Sequence, residues 1–234
     1  GEGEVVLGVL PSPHALCGPH AVLLAETRVE GLADALAGLA DGVPVYSAGQ
    51  GVLDAIAGFP LHRGILALGE KPPTAALDSL LEAMGPDALV VLASGIGNHD
   101  NMGGIFRNAA AFGADAVLLD ARCCDPFYRK AIRVSVGAVL RTPMATGLDP
   151  VTAVEALKAA GFRVLAMAPA AAATLDAAPV GGRVAIVLGP EGPGLDETVI
   201  ARCEPVGIRM SGGFDSLNVA VAGGIALHHF ARHT

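Results

Sequence analysis

Short apolar runs alternate with longer stretches of helical periodicity over the first 68 residues. The runs at residues 5–10, 43–47 and 64–68 predict strands, and the spacing of apolar positions at 22–39 and 50–57 predicts helices. Elements of both kinds in so short a stretch indicate a small α/β unit.

A stretch rich in turn-forming residues follows this unit. Prolines and glycines flank one predicted helix at residues 75–84. We therefore expect a linker at residues 70–86, between one domain at 1–69 and a second domain at 87–234.

The second domain shows a regular alternation of the two kinds of element. Strands are predicted at 88–93, 116–119, 139–144, 163–167, 183–188 and 205–210, and helices at 104–112, 126–135, 151–160, 196–201 and 217–231. Asp149 as N-cap, Pro150 at the first helical position and Gly161 beyond the end delimit one of these helices. Residues 170–178 fit a short helix or a loop equally well. The alternation predicts an α/β fold with a mostly parallel sheet covered by helices on both faces.

Bulk properties restrict the class of protein. Of the 234 residues 52% are hydrophobic, but no apolar run reaches the roughly 20 residues that span a bilayer. The start, Gly1-Glu2-Gly3-Glu4, lacks a Met and a basic leader region, so we expect a chain that begins inside a longer one. The four cysteines, Cys17, Cys123, Cys124 and Cys203, have no C-x-x-C spacing, which argues against a zinc ribbon or disulfide framework and suits a reducing cytoplasm.

The charge balance limits how the chain could bind nucleic acid. A net charge of −8 argues against a protein that wraps nucleic acid, since Lys and Arg supply most of that affinity. One basic concentration, at residues 122–141, holds five cations and the single acid Asp125. It fits a solvated helix face and a local RNA contact equally well.

Three polar or glycine-rich segments follow predicted strands, where open α/β sheets bind ligands. The first, residues 98–108, places Asn101 and Gly103 at a predicted helix start with Arg107 about one turn further in. Free N–H groups and an Arg on the same face suit a phosphate or another anion. Asn and Gly are also ordinary N-caps, so a purely structural role stays open.

The second segment, residues 188–195, reads Leu-Gly-Pro-Glu-Gly-Pro-Gly-Leu. Its glycines allow close backbone approach to a ligand, and its prolines stiffen the loop. It lacks the Lys-Ser/Thr pair of a P-loop and the glycine spacing of a dinucleotide fingerprint. A plain tight turn explains the glycines but leaves Glu191 without a role.

The third segment, residues 208–219, leads into the last predicted helix. Ser216 or Asp215 is the predicted N-cap, and the first turns of the helix carry small residues, among them Ala220 and Gly224. Small residues allow another element to pack closely. A role in packing alone also fits this pattern.

The histidines suggest less. His229 and His233 are four residues apart on one helix face, but no third ligand lies nearby in sequence, so a solvated helix end is favoured over a metal site. His99 beside Asp100 could act as a general base, because histidine titrates near neutrality, but we interpret it as a loop residue.

Together and in this order, the three segments resemble the three motifs of the SpoU/TrmH branch of the SPOUT methyltransferases. The matching stretches are Asn101 to Arg107, Gly189 to Leu195 and Ser216 to Val219, and the resemblance covers about residues 87–231. The segment ending Leu61-His62-Arg63-Gly64 is similar to the end of the ribosomal-protein-like substrate-binding domain that precedes many members.

The resemblance implies an RNA ribose 2'-O-methyltransferase that uses S-adenosyl-L-methionine, acts on tRNA or rRNA as a homodimer and needs no metal. It also implies a C-terminal trefoil knot, which pattern reasoning alone would not predict because true knots are rare. The implied cofactor-binding residues are Leu188, Gly189, Ile208, Met210 and Leu217.

The resemblance also implies a catalytic set of Arg107, Asn101, Glu191, Ser216 and Asn218. Since a guanidinium stays protonated, Arg107 is expected first to anchor phosphate and stabilise the forming alkoxide. Glu191 and Asn101 are expected to orient Arg107 and the substrate, with Ser216 and Asn218 holding the site geometry.

Two rival functions remain. A knotted RNA-binding protein with little or no methyl-transfer activity would share the fold, but the presence of the polar motif residues argues against a decayed site. A dinucleotide-dependent oxidoreductase would share the βα pattern, but no G-x-G-x-x-G follows a first strand.

Overall fold

The computed structural model describes residues 4–7, 18–72, 74–211 and 216–231, which form two sheets and their flanking helices. The strands are β1 (Glu4–Leu7), β2 (Pro19–Ala25), β3 (Val45–Ala48), β4 (Ile65–Glu70), β5 (Ala88–Ala93), β6 (Ala116–Asp120), β7 (Met144–Leu148), β8 (Arg163–Met167), β9 (Ala173–Thr174), β10 (Arg183–Leu188) and β11 (Glu204–Gly207). The α-helices are α1 (Ala33–Ala37), α2 (Gln50–Ala57), α3 (Leu77–Ala83), α4 (His99–Ala111), α5 (Arg129–Val134), α6 (Pro150–Ala159), α7 (Glu197–Ile200) and α8 (Val219–Phe230).

The larger sheet has seven strands in the order β7-β6-β5-β10-β8-β11-β9, and every neighbouring pair is parallel. All six residues of β5 are buried, and successive residues point into two different apolar clusters. One cluster packs under α4, α5 and α8, and the other under α3, α6 and α7. The predicted parallel sheet with helices on both faces is confirmed.

The smaller sheet, in the order β1-β4-β2-β3, is mixed: β2 runs parallel to β3, and the other two pairs are antiparallel. The predicted helix at 22–39 is wrong over its first part, because Pro19–Ala25 is a central strand. Residues 22–24 also fit a helical spacing, but pairing on both sides and burial of Val22 and Leu24 decide for strand. The helix predicted at 50–57 is confirmed as α2.

Two predicted strands of the larger sheet are displaced. Residues 138–140 form a 3₁₀ turn that Gly137 enters with φ +78°, so the strand begins only at Met144 and the prediction at 139–144 is wrong. The strand predicted at 205–210 ends at Gly207. Of the ambiguous stretch at 170–178, residues 173–174 pair with β11 and residues 175–177 form a 3₁₀ turn.

The predicted linker helix belongs structurally to the second unit. Leu81 of α3 is buried in the apolar cluster beneath α6, and its carbonyl oxygen accepts a hydrogen bond from Arg183. The contacts with α5 and the loop before it include an ion pair between Lys71, just after β4, and Asp125 at 2.6 Å, and the Arg129 guanidinium, which lies 4.4 Å from the centre of the Phe59 ring. Among the described residues, no helix has the length and apolar character that crossing a membrane requires.

Candidate functional site

A cavity of about 250 Å³ lies at the carboxyl edge of the larger sheet, where β8, β10 and β11 end. All five residues predicted to bind a cofactor line this cavity: Leu188, Gly189, Ile208, Met210 and Leu217. Ser216 lines it as well. Sequence reasoning missed a third wall, Met167 to Pro169 at the end of β8. The signal was available, since these residues also follow a strand at the ligand-binding edge of a parallel sheet.

The glycine loop, residues 189–195, forms one wall of the cavity. A Cβ atom at Gly189 would lie 2.6 Å from the Leu195 amide nitrogen, so only glycine fits where the loop closes on itself. Gly192 and Gly194 have φ values of +90° and +72°, which a side chain would strain. The loop is therefore fixed by backbone geometry, and it presents backbone groups and Glu191 at the cavity rim.

Helix α4 begins earlier than predicted. The helix predicted at 104–112 starts at His99, because the Asn98 side chain accepts hydrogen bonds from the amides of Asp100 and Asn101. His99 is thus a first-turn residue and not a loop residue. Asn101 lies within this first turn and is 7% exposed.

Three of the predicted catalytic residues meet at one atom. The side-chain nitrogen of Asn218 donates to the Asn101 side-chain oxygen at 2.7 Å and to a Glu191 carboxylate oxygen at 2.8 Å. The Asn218 oxygen accepts from the amides of Ala220 and Val221, which makes Asn218 the N-cap of α8. This polar triad of Asn101, Glu191 and Asn218 joins all three motif segments.

The N-cap prediction for α8 is therefore corrected. Ser216 was one candidate, but the helix begins two residues later and Asn218 caps it. The other candidate, Asp215, lies outside the described residues. A side chain that both caps the helix and bonds two other segments fixes where α8 starts relative to the glycine loop.

Arg107 stands apart from the triad. It is six residues beyond Asn101, about 240° around the helix, and its side chain is exposed. Within the residues that the structure describes, no hydrogen bond or ion pair joins it to Asn101 or Glu191, which bond Asn218 instead. The expected placement of Arg107 on the face of Asn101 is therefore wrong, whereas the expected role of Asn101 and Glu191 in orienting Arg107 and the substrate stays a prediction.

Close packing of α4 against α8 holds the triad together. A Cβ atom at Gly104 would lie 2.7 Å from the Ala220 Cβ, and one at Gly224 would lie 2.8 Å from the Asn108 side-chain nitrogen. The same Asn108 nitrogen donates to the Ala220 carbonyl oxygen at 2.7 Å. The small residues of the last helix therefore serve packing within the chain, as one of the two interpretations of the sequence held.

A polar network braces the far side of the glycine loop. The Asp120 carboxylate, 2% exposed, accepts from the Ser94 hydroxyl at 2.8 Å, the Gly95 amide at 2.9 Å and the Arg122 guanidinium at 3.2 Å. Arg122 also pairs with Asp196, the N-cap of α7 just beyond the loop, at 3.0 Å. Burial on its own raises the pKa of Asp120, but these hydrogen bonds outweigh it and hold the pKa below its usual value.

The histidine and cysteine side chains that the structure describes have ordinary structural surroundings. The Nε2 atom of His229 lies 2.9 Å from the Ala178 carbonyl oxygen, and His233 is outside the described residues. In the described part of the chain, no group of three or more His, Cys, Asp or Glu is arranged to hold a metal ion. Burial raises the pKa of the Cys123 thiol to about 12 and that of Cys203 to about 11, which makes both poor nucleophiles.

Comparison with known proteins shows the family to which the sequence belongs. The family described as the SpoU rRNA methylase family matches residues 88–228. An uncharacterised tRNA/rRNA methyltransferase of Mycobacterium bovis is 39% identical over 220 residues, 92% of this chain and 74% of the relative. A similarly described protein of Mycobacterium avium is 34% identical over 242 residues, 99% of this chain and 78% of its own.

Solved structures agree in fold. The SpoU methyltransferase AviRb of Streptomyces viridochromogenes, solved with AdoMet, has a TM-score of 0.80 at 22% identity and covers 97% of this chain and 89% of its own. An RNA 2'-O ribose methyltransferase has a TM-score of 0.77 at 26% identity and covers 97% of this chain and 87% of its own.

Proposed function

Because the chain belongs to the SpoU rRNA methylase family, we propose that it transfers a methyl group from S-adenosyl-L-methionine to a ribose 2'-hydroxyl of tRNA or rRNA. The observation that carries this proposal is the meeting of the three motif segments in the polar triad, beside the cavity of the glycine loop. The similar fold of an RNA 2'-O ribose methyltransferase supports the choice of ribose over base.

The cavity fits the adenosine part of the cofactor. Its walls combine the backbone of the glycine loop with the apolar side chains of Leu188, Ile208 and Leu217. Backbone groups suit the polar edge of an adenine ring and apolar side chains suit its faces. A cavity of about 250 Å³ is close to the lower end of the range for small-ligand sites. The AdoMet bound by the AviRb structure supports this assignment.

The chemistry requires positioning more than reactive side chains. When bound, S-adenosyl-L-methionine supplies a methyl group already activated by its sulfonium charge, so the chain must align a poorly acidic hydroxyl with it. The polar triad fixes Glu191 and the start of α8 at the rim where the hydroxyl would arrive. Arg107, exposed on α4 and away from the triad, is assigned the role of anchoring an RNA phosphate.

Three finer features complete the proposal. A trefoil knot is proposed because the chain belongs to the SpoU family, and the strand order, with β10 between β5 and β8, is compatible with it. A homodimer is supported by the exposed Val221 and Ile225 on α8, 50% and 40% accessible. Recognition of the RNA substrate by the N-terminal unit is supported by its contacts with α5.

The test is methyl transfer with product identification. Wild-type protein, Arg107→Ala and the control Lys158→Ala are incubated with methyl-labelled cofactor and bulk tRNA or rRNA, and the RNA is digested to nucleosides for mass spectrometry. Lys158 is an exposed cation on α6, on the opposite face of the sheet from α4. We expect label in a 2'-O-methylnucleoside with wild type and the control, and loss of label with Arg107→Ala.

Other results would separate the rivals. Label in a methylated base would overturn the ribose assignment. Cofactor binding without transfer to either RNA pool would favour an RNA-binding protein of the same fold. In a thermal-shift assay, S-adenosylhomocysteine should raise the melting temperature and NADH should not, and the reverse would favour an oxidoreductase.

A further inference from the structure

Two aromatic rings stack at the edge of the candidate site. The rings of His99 and Tyr128 lie 4.4 Å apart between centroids, with a tilt of 43°. His99 is the first residue of α4, two positions before Asn101 of the polar triad, and Tyr128 is the N-cap residue of α5. Tyr128 is 46% exposed, so much of its ring faces solvent beside the site.

Cations cluster around this exposed ring. Arg129, Lys130 and Arg133 follow it on α5, and Arg63 and Lys71 lie on the facing side of the N-terminal unit. Among the described residues, the carboxylates that pair with these cations are Asp100, which lies 2.6 Å from Lys130, and Asp125, which lies 2.6 Å from Lys71, while Glu70 next to Lys71 pairs with His20. Within the described part of the chain, Arg63 and Arg133 have no carboxylate partner. A local excess of positive charge therefore surrounds Tyr128 in a chain whose formal net charge is −8.

Some of these cationic residues are held in place by neighbouring groups, and several line a cavity. The Arg129 guanidinium is held over the Phe59 ring at 4.4 Å, and the Arg63 carbonyl oxygen accepts a hydrogen bond from Arg28 at 3.2 Å. Residues from both units line a common cavity of about 940 Å³, among them Phe59, His62, Arg63, Tyr128, Arg129 and Arg133. The cationic surface thus spans the two units and ends at the aromatic pair beside the site.

We propose that Tyr128 and the surrounding cations bind an unpaired stretch of RNA that flanks the target ribose, an inference that rests on the proposed function. A base stacks on the exposed face of Tyr128, and Arg63, Arg129 and Arg133 contact the neighbouring phosphates. Stacking on an aromatic ring requires a base that has left its helix, whereas a duplex hides its base faces. The combination of ring and cations favours single-stranded nucleic acid over an acidic peptide, which would need the cations alone.

The test compares RNA binding by the full chain and four variants. The probe is a fluorescein-labelled single-stranded RNA of about 12 nucleotides, a length within the usual site sizes for such binding, and the same sequence as a duplex. The variants are Tyr128→Ala, Tyr128→Phe, Arg133→Gln and the control Lys158→Gln, which removes an exposed cation from the opposite face. Calorimetric binding of S-adenosylhomocysteine reports whether each variant keeps its cofactor cavity.

We expect Tyr128→Ala to weaken binding of the single strand roughly tenfold, as loss of one stacked base does elsewhere. Tyr128→Phe retains the ring and should bind like wild type. Arg133→Gln should weaken binding and lower the slope of log affinity against log salt by about 0.7, the value for one phosphate contact with a single strand. Binding of S-adenosylhomocysteine and the behaviour of Lys158→Gln should not change.

Several results would overturn the inference. The inference is overturned if Tyr128→Ala binds the single strand as well as the Lys158→Gln control does, or if wild type prefers the duplex. It is also overturned if polyglutamate displaces the probe at the same concentration as unlabelled RNA. These outcomes are independent of the proposed reaction. If wild type methylates RNA and the variants keep its KM, the RNA surface is wrong and the function stands. If wild type methylates a base, the ribose assignment is wrong, while the binding data still decide the role of Tyr128.

Discussion

The Asn218 side-chain amide donates a hydrogen bond of 2.8 Å to the Glu191 carboxylate, across 27 residues of chain. The same nitrogen bonds Asn101, and the side-chain oxygen caps α8. One side chain therefore positions the glycine loop, the first turn of α4 and the start of α8 relative to one another.

Substitution of Asn218 should separate the cap from the triad. Asn218→Asp keeps an oxygen for the Ala220 and Val221 amides but turns a donor to Glu191 into a like charge. We expect Asn218→Asp to keep most of the stability and to lose methyl transfer. Asn218→Ala removes the cap as well and should lower the free energy of unfolding by about 1 kcal/mol. Urea unfolding and the transfer assay test this, and full transfer activity in Asn218→Asp would contradict the role of the triad.

Two glycine-to-alanine changes, one in the contact between α4 and α8 and one outside it, should have opposite effects on the free energy of unfolding. Gly104→Ala places a Cβ 2.7 Å from that of Ala220, so it should force the helices apart and lower the free energy of unfolding by about 1–3 kcal/mol. Gly51 on α2 has open space around its Cβ position and an ordinary φ, so Gly51→Ala should stabilise by about 0.4–1 kcal/mol. Thermal and urea unfolding of both variants test this. Equal effects of the two substitutions would show that the helix contact is looser than the geometry indicates.

The network around Asp120 predicts a pH-dependent contribution to stability. The fold lowers the pKa of this carboxyl, so its stabilisation is complete above the unfolded pKa of about 4 and is lost as pH falls through the lower folded pKa. Asp120→Asn should be less stable than wild type at neutral pH by about 1–3 kcal/mol, because it leaves Arg122 without its buried partner.

The difference in the free energy of unfolding between wild type and Asp120→Asn should narrow as the pH falls below about 4, and it should reach its minimum only below the lowered pKa of the folded state, where the wild-type carboxyl is protonated as well. Urea unfolding across the acid range measures it, with Asp196→Asn as the control. Asp196 is 56% exposed, so its pair with Arg122 should contribute less than about 1 kcal/mol. A difference between Asp120→Asn and wild type that does not change with pH would contradict the assignment.

Sequence reasoning located the central strands of the large sheet and the three segments of the site because both depend on local pattern. Strand β5 is apolar at every position, and the glycine loop needs its glycines for reasons of its own backbone. Sequence reasoning failed where contacts between residues distant in sequence determine the structure. Asn218 was expected to hold the site geometry, but its role as a helix cap depends on where α8 starts, and its hydrogen bonds reach residues 27 and 117 positions away.

Two further predictions were wrong for the same reason: the position of Arg107 on the face of Asn101, and the helix predicted where Pro19–Ala25 forms a strand. The former depends on where α4 begins, which the Asn98 cap decides, and the latter on pairing with two other strands. The role of Asp120 as a buried hydrogen-bond acceptor was not predicted, because no sequence pattern distinguishes a buried acid at the end of a strand from an exposed one.

The partly buried thiols of Cys123 and Cys203 predict slow alkylation. Burial raises the pKa of Cys123 to about 12, and its Sγ donates to the Ala93 carbonyl oxygen. Since the thiolate is the reactive form, iodoacetamide at about pH 8 should leave Cys123 and Cys203 largely unmodified in the folded protein. Mass spectrometry of peptides after brief treatment tests this, with urea-unfolded protein as the reference. Alkylation of native Cys123 at the unfolded rate would contradict its burial.

The most direct test of the central claim uses the chemistry of the product. A 2'-O-methyl group removes the hydroxyl that attacks the neighbouring phosphodiester in alkali, so a methylated position survives as a dinucleotide. RNA labelled by the protein with methyl-tritiated cofactor should release its tritium in alkali-resistant dinucleotides, and Asn218→Asp should transfer almost none. Tritium recovered in mononucleotides would place the methyl group on a base and contradict the account.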